Sequence, residues 1–260
     1  MARNGWADGN YLTHASAALG TTHRPMSFSC WIKPSTNTDT VASYTHWLWQ
    51  NEATVNAATS PKLGISIKSS GTVVNLFSKN ASPENTSSSS YTASTDWYHV
   101  GVSWETDDTV TFYKDGSSLS SGSQPLGTGT EAGGSVIGAL RAANIIAQCA
   151  IAELGVWGVV LTAAEFASLG RGLSPALIRP ASLRSYPDLI RGNVDRKGGA
   201  LTTTGTVGVA DHPRIIYPRR ARSHVTNGAA PAASTIGLLR ANAGLRWGPF
   251  SLANAGVGAI

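Results

Sequence analysis

The sequence predicts an all-β protein, an antiparallel two-sheet sandwich of the jelly-roll kind with one short helix and an extended C-terminal arm. Apolar residues alternate with polar ones in several short runs, and this period-two spacing is typical of strands with one buried face. Turn-forming residues separate the runs at short intervals. With 260 residues, of which 42% are hydrophobic, the chain can bury the inner faces of two sheets.

The central element is a predicted hairpin over residues 97–116, WYHVGVSWETDDTVTFYKDG. Apolar residues alternate in both of its arms, residues 98–104 and 109–113, which predicts two half-buried strands. The acidic residues between the arms are poor strand formers and predict a solvated loop. Asp115 and Gly116 predict a tight turn after the second arm.

Further strands are predicted from the same alternation, and the polar stretches between them are predicted to be loops. Residues 5–12 predict a strand entry with a turn at Asp8-Gly9, and strands are expected over residues 26–33, 63–67, 73–77, 135–138 and 150–160. Loops are expected over residues 35–61, apart from an aromatic patch, and over the Ser-rich stretches 78–95 and 117–134.

A single short helix is predicted after Thr162. Thr162 is a favourable N-cap, and Glu165 three residues later completes a capping box. Phe166 and Leu169 then give the helix an apolar side, and Gly170 predicts its end.

The composition favours a surface that is covered by partners. Charged residues make up 13% of the chain, about half the usual share. The N-terminus, MARNGWADGN, lacks the apolar core of a signal peptide, and no run approaches the roughly 20 apolar residues of a membrane span. These features predict synthesis in a bacterial cytoplasm and no membrane partner. Cys30 and Cys149 are too few for a disulfide framework and predict buried free thiols.

Charge is distributed unevenly along the chain. Residues 1–170 carry 8 Lys and Arg against 12 Asp and Glu, a net −4, whereas residues 171–260 carry 12 against 3, a net +9. A basic C-terminal third could contact nucleic acid or an acidic protein surface. The arginines are dispersed and lack the interleaved aromatic residues that stack on bases, which favours an assembly segment over a nucleic-acid site.

Five segments, taken in order, resemble one known family. They are SFSCWIKP at 27–34, DWYHVGVSW at 96–104, VTFYKDG at 110–116, SVIGAL at 135–140 and IAELGVWGVVLTAAEFASL at 151–169. As an ordered set they resemble the laminin-G-like, concanavalin-A-like jelly roll over about residues 5–175, with Ala152-Glu153 where the family usually has Asp-Glu. The resemblance implies a fold that hosts lectins, enzymes and structural proteins alike.

The segment that follows implies how the chain is divided. Residues 174–216 look like extensions that follow this domain in phage-encoded proteins. We therefore expect a sandwich over 1–175, a C-terminal hairpin over 176–222 packed on that sandwich, and a Gly/Ala-rich apolar arm over 223–260 for assembly contacts.

Catalytic chemistry is not indicated by the motifs. A glycosidase needs two carboxylates about 5–9 Å apart, and the E-x-D-x-x-E run of the glucanases is absent from the sequence. Hydrolysis dependent on Glu153 or Glu105 is the remote alternative, since Glu153 is better explained as a paired structural carboxylate. The six His are scattered without metal-ligand spacing.

The sequence suggests two possible binding sites, and for each of them a purely structural role is the alternative. Tyr44, Trp47 and Trp49 could stack on sugar rings, and packing in the core or an interface is the alternative. Asp107 and Asp108 could contribute ligands to a calcium ion, which is the one cofactor that the sequence suggests. Calcium needs six or more oxygen ligands. The alternative is a solvated acidic loop.

These observations favour a non-enzymatic structural protein of the bacteriophage virion, with head decoration (cement) as the first choice. Its expected partners are other virion proteins, the major capsid protein first, and further copies of the chain. The expected partner-binding residues lie in the C-terminal segment: Arg219, Arg220, Arg222, Leu239, Leu245, Trp247 and Phe250. A glycan-binding tail adhesin is the alternative function.

Overall fold

The structure is a computed structural model of the chain. It describes residues 2–4, 10–14, 24–34, 45–51, 62–68, 73–79, 84–90, 96–125, 134–138, 149–187, 189 and 194–218. By compactness the chain divides into two units, Met1–Pro218 and Arg219–Ile260, and all described residues belong to the first.

The described residues contain fifteen strands, one α-helix and one 3₁₀ helix. The strands are Ala2–Asn4 (β1), Tyr11–His14 (β2), Met26–Pro34 (β3), Thr45–Asn51 (β4), Lys62–Lys68 (β5), Val73–Lys79 (β6), Glu84–Ser90 (β7), Tyr98–Trp104 (β8), Thr109–Lys114 (β9), Ser117–Ser123 (β10), Ser135–Ile137 (β11), Cys149–Trp157 (β12), Leu183–Ser185 (β13), Leu201–Thr204 (β14) and Gly208–Ala210 (β15). The α-helix α1 is Ala163–Gly170, and the 3₁₀ helix is Pro175–Leu177.

The strands form two antiparallel sheets, as the sequence predicts. The first sheet has the order β10-β9-β8-β3-β12-β1-β15, and β13 also pairs with β12. The second sheet has the order β14-β2-β11-β4-β5-β6-β7. The fold is therefore a jelly-roll sandwich of the concanavalin-A-like kind.

The main core lies between the sheets and comes from the predicted alternation. Met26, Phe28, Cys30 and Ile32 of β3 are each 0% exposed and belong to one apolar cluster. The even-numbered residues of β8, from Tyr98 to Trp104, join the same cluster. Burial of these two faces removes apolar area from water and is the main stabilising term.

The predicted hairpin over 97–116 is confirmed, and its exposure differs from expectation. β8 pairs with β9, and the turn after β9 has positive φ at Asp115 (48°) and Gly116 (81°), as a primed turn requires. However, all seven residues of β8 are buried rather than every second one. The outer face of β8 is covered because α1 packs on it.

The helix and its capping box are confirmed. The backbone N–H of Glu165 donates to Thr162 Oγ1 (3.3 Å), and the N–H of Thr162 donates to Glu165 Oε2 (2.7 Å). Phe166 packs flat against Tyr113, with ring centroids 3.9 Å apart. It also fills the space above Gly101, where a Cβ would lie 2.5 Å from Phe166 Cε1.

Two predicted loops contain strands. The stretches 78–95 and 117–134 hold β7 and β10, whereas β4 coincides with the aromatic patch that the loop prediction over 35–61 left out. Serine is not among the residues enriched in strands, but backbone hydrogen bonds pair β7 with β6 and β10 with β9 along their lengths. The loop prediction was wrong there because pairing overrides local propensity.

The C-terminal extension, predicted as a hairpin over 176–222 that packs on the sandwich, pairs with strands of both sheets. Strands β13 and β15 join the first sheet, through β12 and β1, whereas β14 joins the second sheet through β2. The strands β13, β14 and β15 therefore extend both sheets, and they belong to the compact unit Met1–Pro218. The division at residue 175 stays a prediction. The arm predicted over 223–260 lies outside the described residues.

Replacement of Gly170 by alanine tests how closely α1 approaches the β9–β10 turn. A Cβ at Gly170 would lie 2.4 Å from backbone atoms of both Asp115 and Gly116. Alanine has a higher helix propensity than glycine, but at Gly170, the last residue of α1, the clash should make Gly170→Ala lose about 1–3 kcal/mol in urea unfolding. The control Ala164→Gly, at an exposed position of α1, should lose about 1 kcal/mol. A neutral or stabilised Gly170→Ala protein would contradict this packing.

Candidate functional site

The most elaborate polar site in the described residues is built around Glu153. Glu153 lies on β12, where the register with β3 shifts between Ala152 and Gly155, and its φ is 54°. This irregularity turns its side chain into the protein, where Glu153 is 1% exposed. A buried carboxylate is costly unless hydrogen-bond donors satisfy its oxygens.

Two tyrosines from the C-terminal extension supply those donors. Tyr186, which follows β13, donates its hydroxyl proton to Glu153 Oε2 over 2.6 Å. Tyr217 donates to Glu153 Oε1 over 2.7 Å. Burial above all, and next the charge of Glu153, raise the pKa of Tyr186, so its hydroxyl keeps the proton that it donates.

The network continues beyond the carboxylate on both sides. Because the Tyr186 proton is used on Glu153, the hydroxyl of Ser174 donates to Tyr186 Oη over 2.8 Å. The imidazole of His212 approaches from the other side, with Nε2 3.3 Å from Glu153 Oε1. We call these five residues, Ser174, Glu153, Tyr186, His212 and Tyr217, the Glu153 network.

A second buried carboxylate, Asp195, accepts hydrogen bonds from backbone groups on both sides of it in the sequence. It accepts from Ser185 Oγ (2.5 Å) and from the N–H groups of Tyr186 and Lys197 (2.8 Å each). Tyr186 is thus anchored by its backbone to Asp195 and by its hydroxyl to Glu153. Both carboxylates bind groups of the chain itself, which makes them positioning groups.

Of the three aromatic residues predicted to bind sugars, the structure describes the side chain of Trp49 alone. Trp49 is 0% exposed and its ring lies 6.0 Å from that of Phe28 in the main core. The prediction that Trp49 stacks on sugars is therefore wrong, because no face of its indole is open to a ligand. Trp47 lies on the same strand, β4, but its side chain is outside the described residues, and so is Tyr44.

The predicted calcium residues are engaged within the chain. Asp107 Oδ1 accepts from the N–H of Thr109 (3.0 Å), and this hydrogen bond is the main cause that lowers the pKa of Asp107. Asp108 forms an ion pair with Arg24. Asp115 lies at the opposite end of β9, where it accepts from the N–H of His99.

No group of three or more His, Cys, Asp or Glu that could hold a metal occurs in the described residues. An arginine paired to Asp108 also opposes a cation there. A calcium site at Asp107 and Asp108 is therefore not assembled in that part of the chain. Likewise, no helix in the described part is long and apolar enough to cross a bilayer.

The partner-binding residues predicted in the C-terminal segment, from Arg219 to Phe250, lie outside the described residues. They remain predictions.

Comparison with known families decides the family of the chain. Residues 6–167 match the laminin-G-like model of the concanavalin A-like lectin/glucanases superfamily. The chain belongs to this family. Comparison with curated proteins found no match.

Two solved structures show how this superfamily fold is shared. A native heptameric SAP-like pentraxin from Limulus polyphemus is 18% identical, with a TM-score of 0.50 over 78% of this chain and 90% of the pentraxin. A proposed carbohydrate binding protein from Bacteroides ovatus is 15% identical, with a TM-score of 0.51 over 83% of this chain and 62% of that protein. At these identities the likeness concerns the fold.

The superfamily strand that carries WYHV, β8, also carries a buried histidine that the sequence reasoning did not assign. His99 is 0% exposed, and its Nε2 lies 2.7 Å from Ser29 Oγ. Burial lowers the pKa of His99 to about 4, against an opposing effect of Asp115. His99 is therefore neutral near pH 7 and is part of the packing beneath α1.

Sequence reasoning identified Glu153 as a paired carboxylate, and the hydrogen bonds confirm that it is paired. It missed the partners Tyr186, His212 and Tyr217. They lie 33–64 residues further along the chain, in a segment without a motif, so no local signal links them to Glu153. Only the return of the extension to β12 brings them together.

Substitution of Trp49 distinguishes a core residue from a ligand-binding one. Trp49→Ala should lower the free energy of unfolding by about 3–5 kcal/mol, because it leaves a cavity beside Phe28. The measurement is urea unfolding followed by far-ultraviolet circular dichroism. A loss below about 1 kcal/mol would contradict the burial of this side chain.

The buried neutral state of His99 predicts acid sensitivity. The unfolded chain binds a proton at His99 near pH 6.5, whereas the folded chain binds it only near pH 4. The contribution of His99 to the free energy of unfolding is therefore full above pH 6.5. It falls by on the order of 3 kcal/mol as the pH drops from 6.5 towards 4. Urea unfolding of the wild type and His99→Gln at pH 4.5 and pH 7 should show that the variant lacks this part of the pH dependence. Equal pH dependence of the two proteins would contradict it.

Proposed function

We propose that this protein is a non-catalytic binding protein of the lectin/glucanase superfamily. The observation that carries the proposal is the state of Glu153, the carboxylate on the strand where the family places its acidic motif. Both of its oxygens accept short hydrogen bonds from tyrosines of the same chain. A general acid or nucleophile needs an oxygen open to substrate, and Glu153, at 1% exposure, serves packing instead.

The proposed target is the surface of a bacteriophage particle, with head decoration and the major capsid protein as first choices. Three features support it: the phage-like extension over 174–216, the low charged fraction of 13%, and the net +9 of residues 171–260. A basic segment is suited to an acidic shell, where complementary charge speeds and orients association. In this proposal the protein is made in the host cytoplasm and works as an oligomer on the virion.

Binding to purified particles tests this proposal. The full chain, a chain ending at Arg222, and the triple variant Arg219→Gln, Arg220→Gln, Arg222→Gln are mixed with heads and with tails of the encoding phage and sedimented. The full chain should co-sediment with heads. The truncated chain should bind at least about tenfold more weakly, because it lacks the segment proposed to lie on the shell.

The triple variant separates charge from contact area. If charge orients binding, its affinity should fall and should lose most of its dependence on salt. The truncated chain retains the whole compact unit Met1–Pro218, so its circular dichroism and unfolding midpoint serve as the folding control. Absence of the full chain from particles, or equal binding by the truncated chain, would contradict the proposed mechanism.

Glycan binding on a tail is the second candidate, favoured by the likeness to the Bacteroides ovatus protein, which is described as a proposed carbohydrate binding protein. With Trp49 in the core, Tyr44 and Trp47 are the aromatic candidates left from the predicted set. A glycan array should then give hits with the wild type that Trp47→Ala loses and Trp49→Phe retains. An array without hits removes this candidate.

A further inference from the structure

Exposed apolar side chains are concentrated at one place on the described part of the chain. Five large apolar residues there are at least 40% exposed, and three of them are Ile216 (54%), Tyr217 (41%) and Leu177 (40%). The other two, Val194 and Val209, lie elsewhere in the C-terminal extension. Single exposed apolar residues are normal on a protein surface, whereas a group of them indicates an interaction site.

Ser174 brings the two segments of this group together. Its N–H donates to the carbonyl of Ile216 (3.0 Å), and the N–H of Ile216 donates to the carbonyl of Gly172 (2.7 Å). The carbonyl of Ser174 also accepts from the N–H of Leu177 (2.9 Å). Leu177 and Ile216 are therefore each one backbone hydrogen bond away from the same buried residue.

The segment that carries Ile216 and Tyr217 is held in place by further contacts. Pro213 is buried and Ile215 is partly buried. Tyr217 donates its hydroxyl proton to Glu153, although 41% of the residue stays exposed. A surface whose side chains are already ordered loses little conformational entropy when it binds, which favours its use as a docking surface.

Two arginines flank the apolar side chains. Arg171 directly precedes Gly172, and the backbone carbonyl of Arg214 lies 2.6 Å from the position that a Cβ of Gly172 would take. Both arginines are exposed, and neither forms an ion pair with a described residue. We call the five residues Leu177, Ile216, Tyr217, Arg171 and Arg214 the Ile216 patch.

The acidic groups near the Ile216 patch leave its charge positive. Glu165 of α1 is paired with Arg179. Glu153 is buried and accepts from two tyrosines. Asp211 is exposed on the segment of Arg214, so one exposed carboxylate stands against two arginines. The patch therefore combines an apolar centre with a cationic rim.

An acidic protein surface with apolar side chains at its centre fits this combination, because tyrosine and arginine anchors are typical of protein interfaces. A second copy bound about a two-fold axis would place each patch against itself and so arginine against arginine. Nucleic acid would suit the arginines, but Leu177 and Ile216 offer no ring on which a base could stack.

We propose that the Ile216 patch is a docking surface for an acidic protein partner. The apolar side chains gain from burial, and the arginines pair with carboxylates of the partner and orient it. A standard interface uses about 20–30 residues a side, so the patch forms the centre of a larger contact. The identity of the partner as the phage shell rests on the proposed function, whereas its chemistry rests on the patch.

An array of immobilised peptides tests this chemistry without a particle. The probes are short peptides with Leu or Phe flanked by Asp and Glu. One control set has Lys in place of the acids, and the other has Ser in place of Leu and Phe. The full chain should bind the acidic apolar peptides about tenfold more strongly than either control set, because the patch needs both the charge and the apolar contact.

Variants of the full chain assign the binding to the patch. Ile216→Ser should lose about tenfold in affinity for the acidic apolar peptides. The double variant Arg171→Glu, Arg214→Glu should prefer the Lys-flanked peptides instead, because its rim is then acidic. Val209→Ser, at 55% exposure against 54% for Ile216, and Arg184→Glu, at an exposed arginine of β13, are matched controls that should bind as the wild type does.

Three results on the array would overturn the proposal. The first is equal binding of the acidic apolar peptides and the Ser-substituted peptides. The second is wild-type binding by a folded Ile216→Ser protein, with folding checked by circular dichroism. The third is stronger binding of a single-stranded oligonucleotide probe than of the acidic apolar peptides, which would assign the surface to nucleic acid.

Co-sedimentation of the same variants with heads separates this proposal from the proposed function. If the array gives the expected pattern and the full chain does not bind heads, the patch stands and the proposed function fails. If the full chain binds heads and Ile216→Ser binds them equally well, the patch fails and the proposed function stands.

Discussion

The contact between the inner faces of the two sheets is the constraint on which the rest of the structure depends. Each sheet is apolar on that side, with Phe28 from the first sheet against Trp49 from the second. Sheets packed face to face lie about 10 Å apart, and bulky side chains fill that space. The burial fixes register, because a slip by one residue would turn β3 and its neighbours over.

A second layer of packing on the outer face of the first sheet explains the polar sites. Strands β8 and β12 are buried along their whole length, so polar residues on their outer side cannot reach water. His99 meets Ser29, and Glu153 meets two tyrosines. These groups are satisfied by the chain itself, and the contacts of Glu153 also hold the C-terminal extension against the sheet.

Prediction from the sequence succeeded where apolar alternation was strong and failed where it was weak. The hairpin around β8 and β9, the strand β3 and the capped helix were all predicted, since their signals are local. The Ser-rich strands β7 and β10 were missed, because backbone pairing with β6 and β9 defines them and leaves little trace in side chains. Trp49 was misread for a related reason: an aromatic residue on a strand suits a core and a sugar site equally well.

The sequence by itself determined the helix and most strands of the two sheets, because each of these signals rests on residues within a few positions of one another. The ordered set of segments over residues 27–169 indicated the family, and the sequence predicted that Glu153 is paired without indicating its partners. Only the tertiary structure decided which residues pair with Glu153 and how the extension returns. Strand β14 joins the second sheet while β13 and β15 join the first, and this division brings His212 and Tyr217 to β12. Such contacts form between residues that are dozens of positions apart, so a long loop must close to bring them together. A local hydrophobic pattern does not indicate which distant residues will meet.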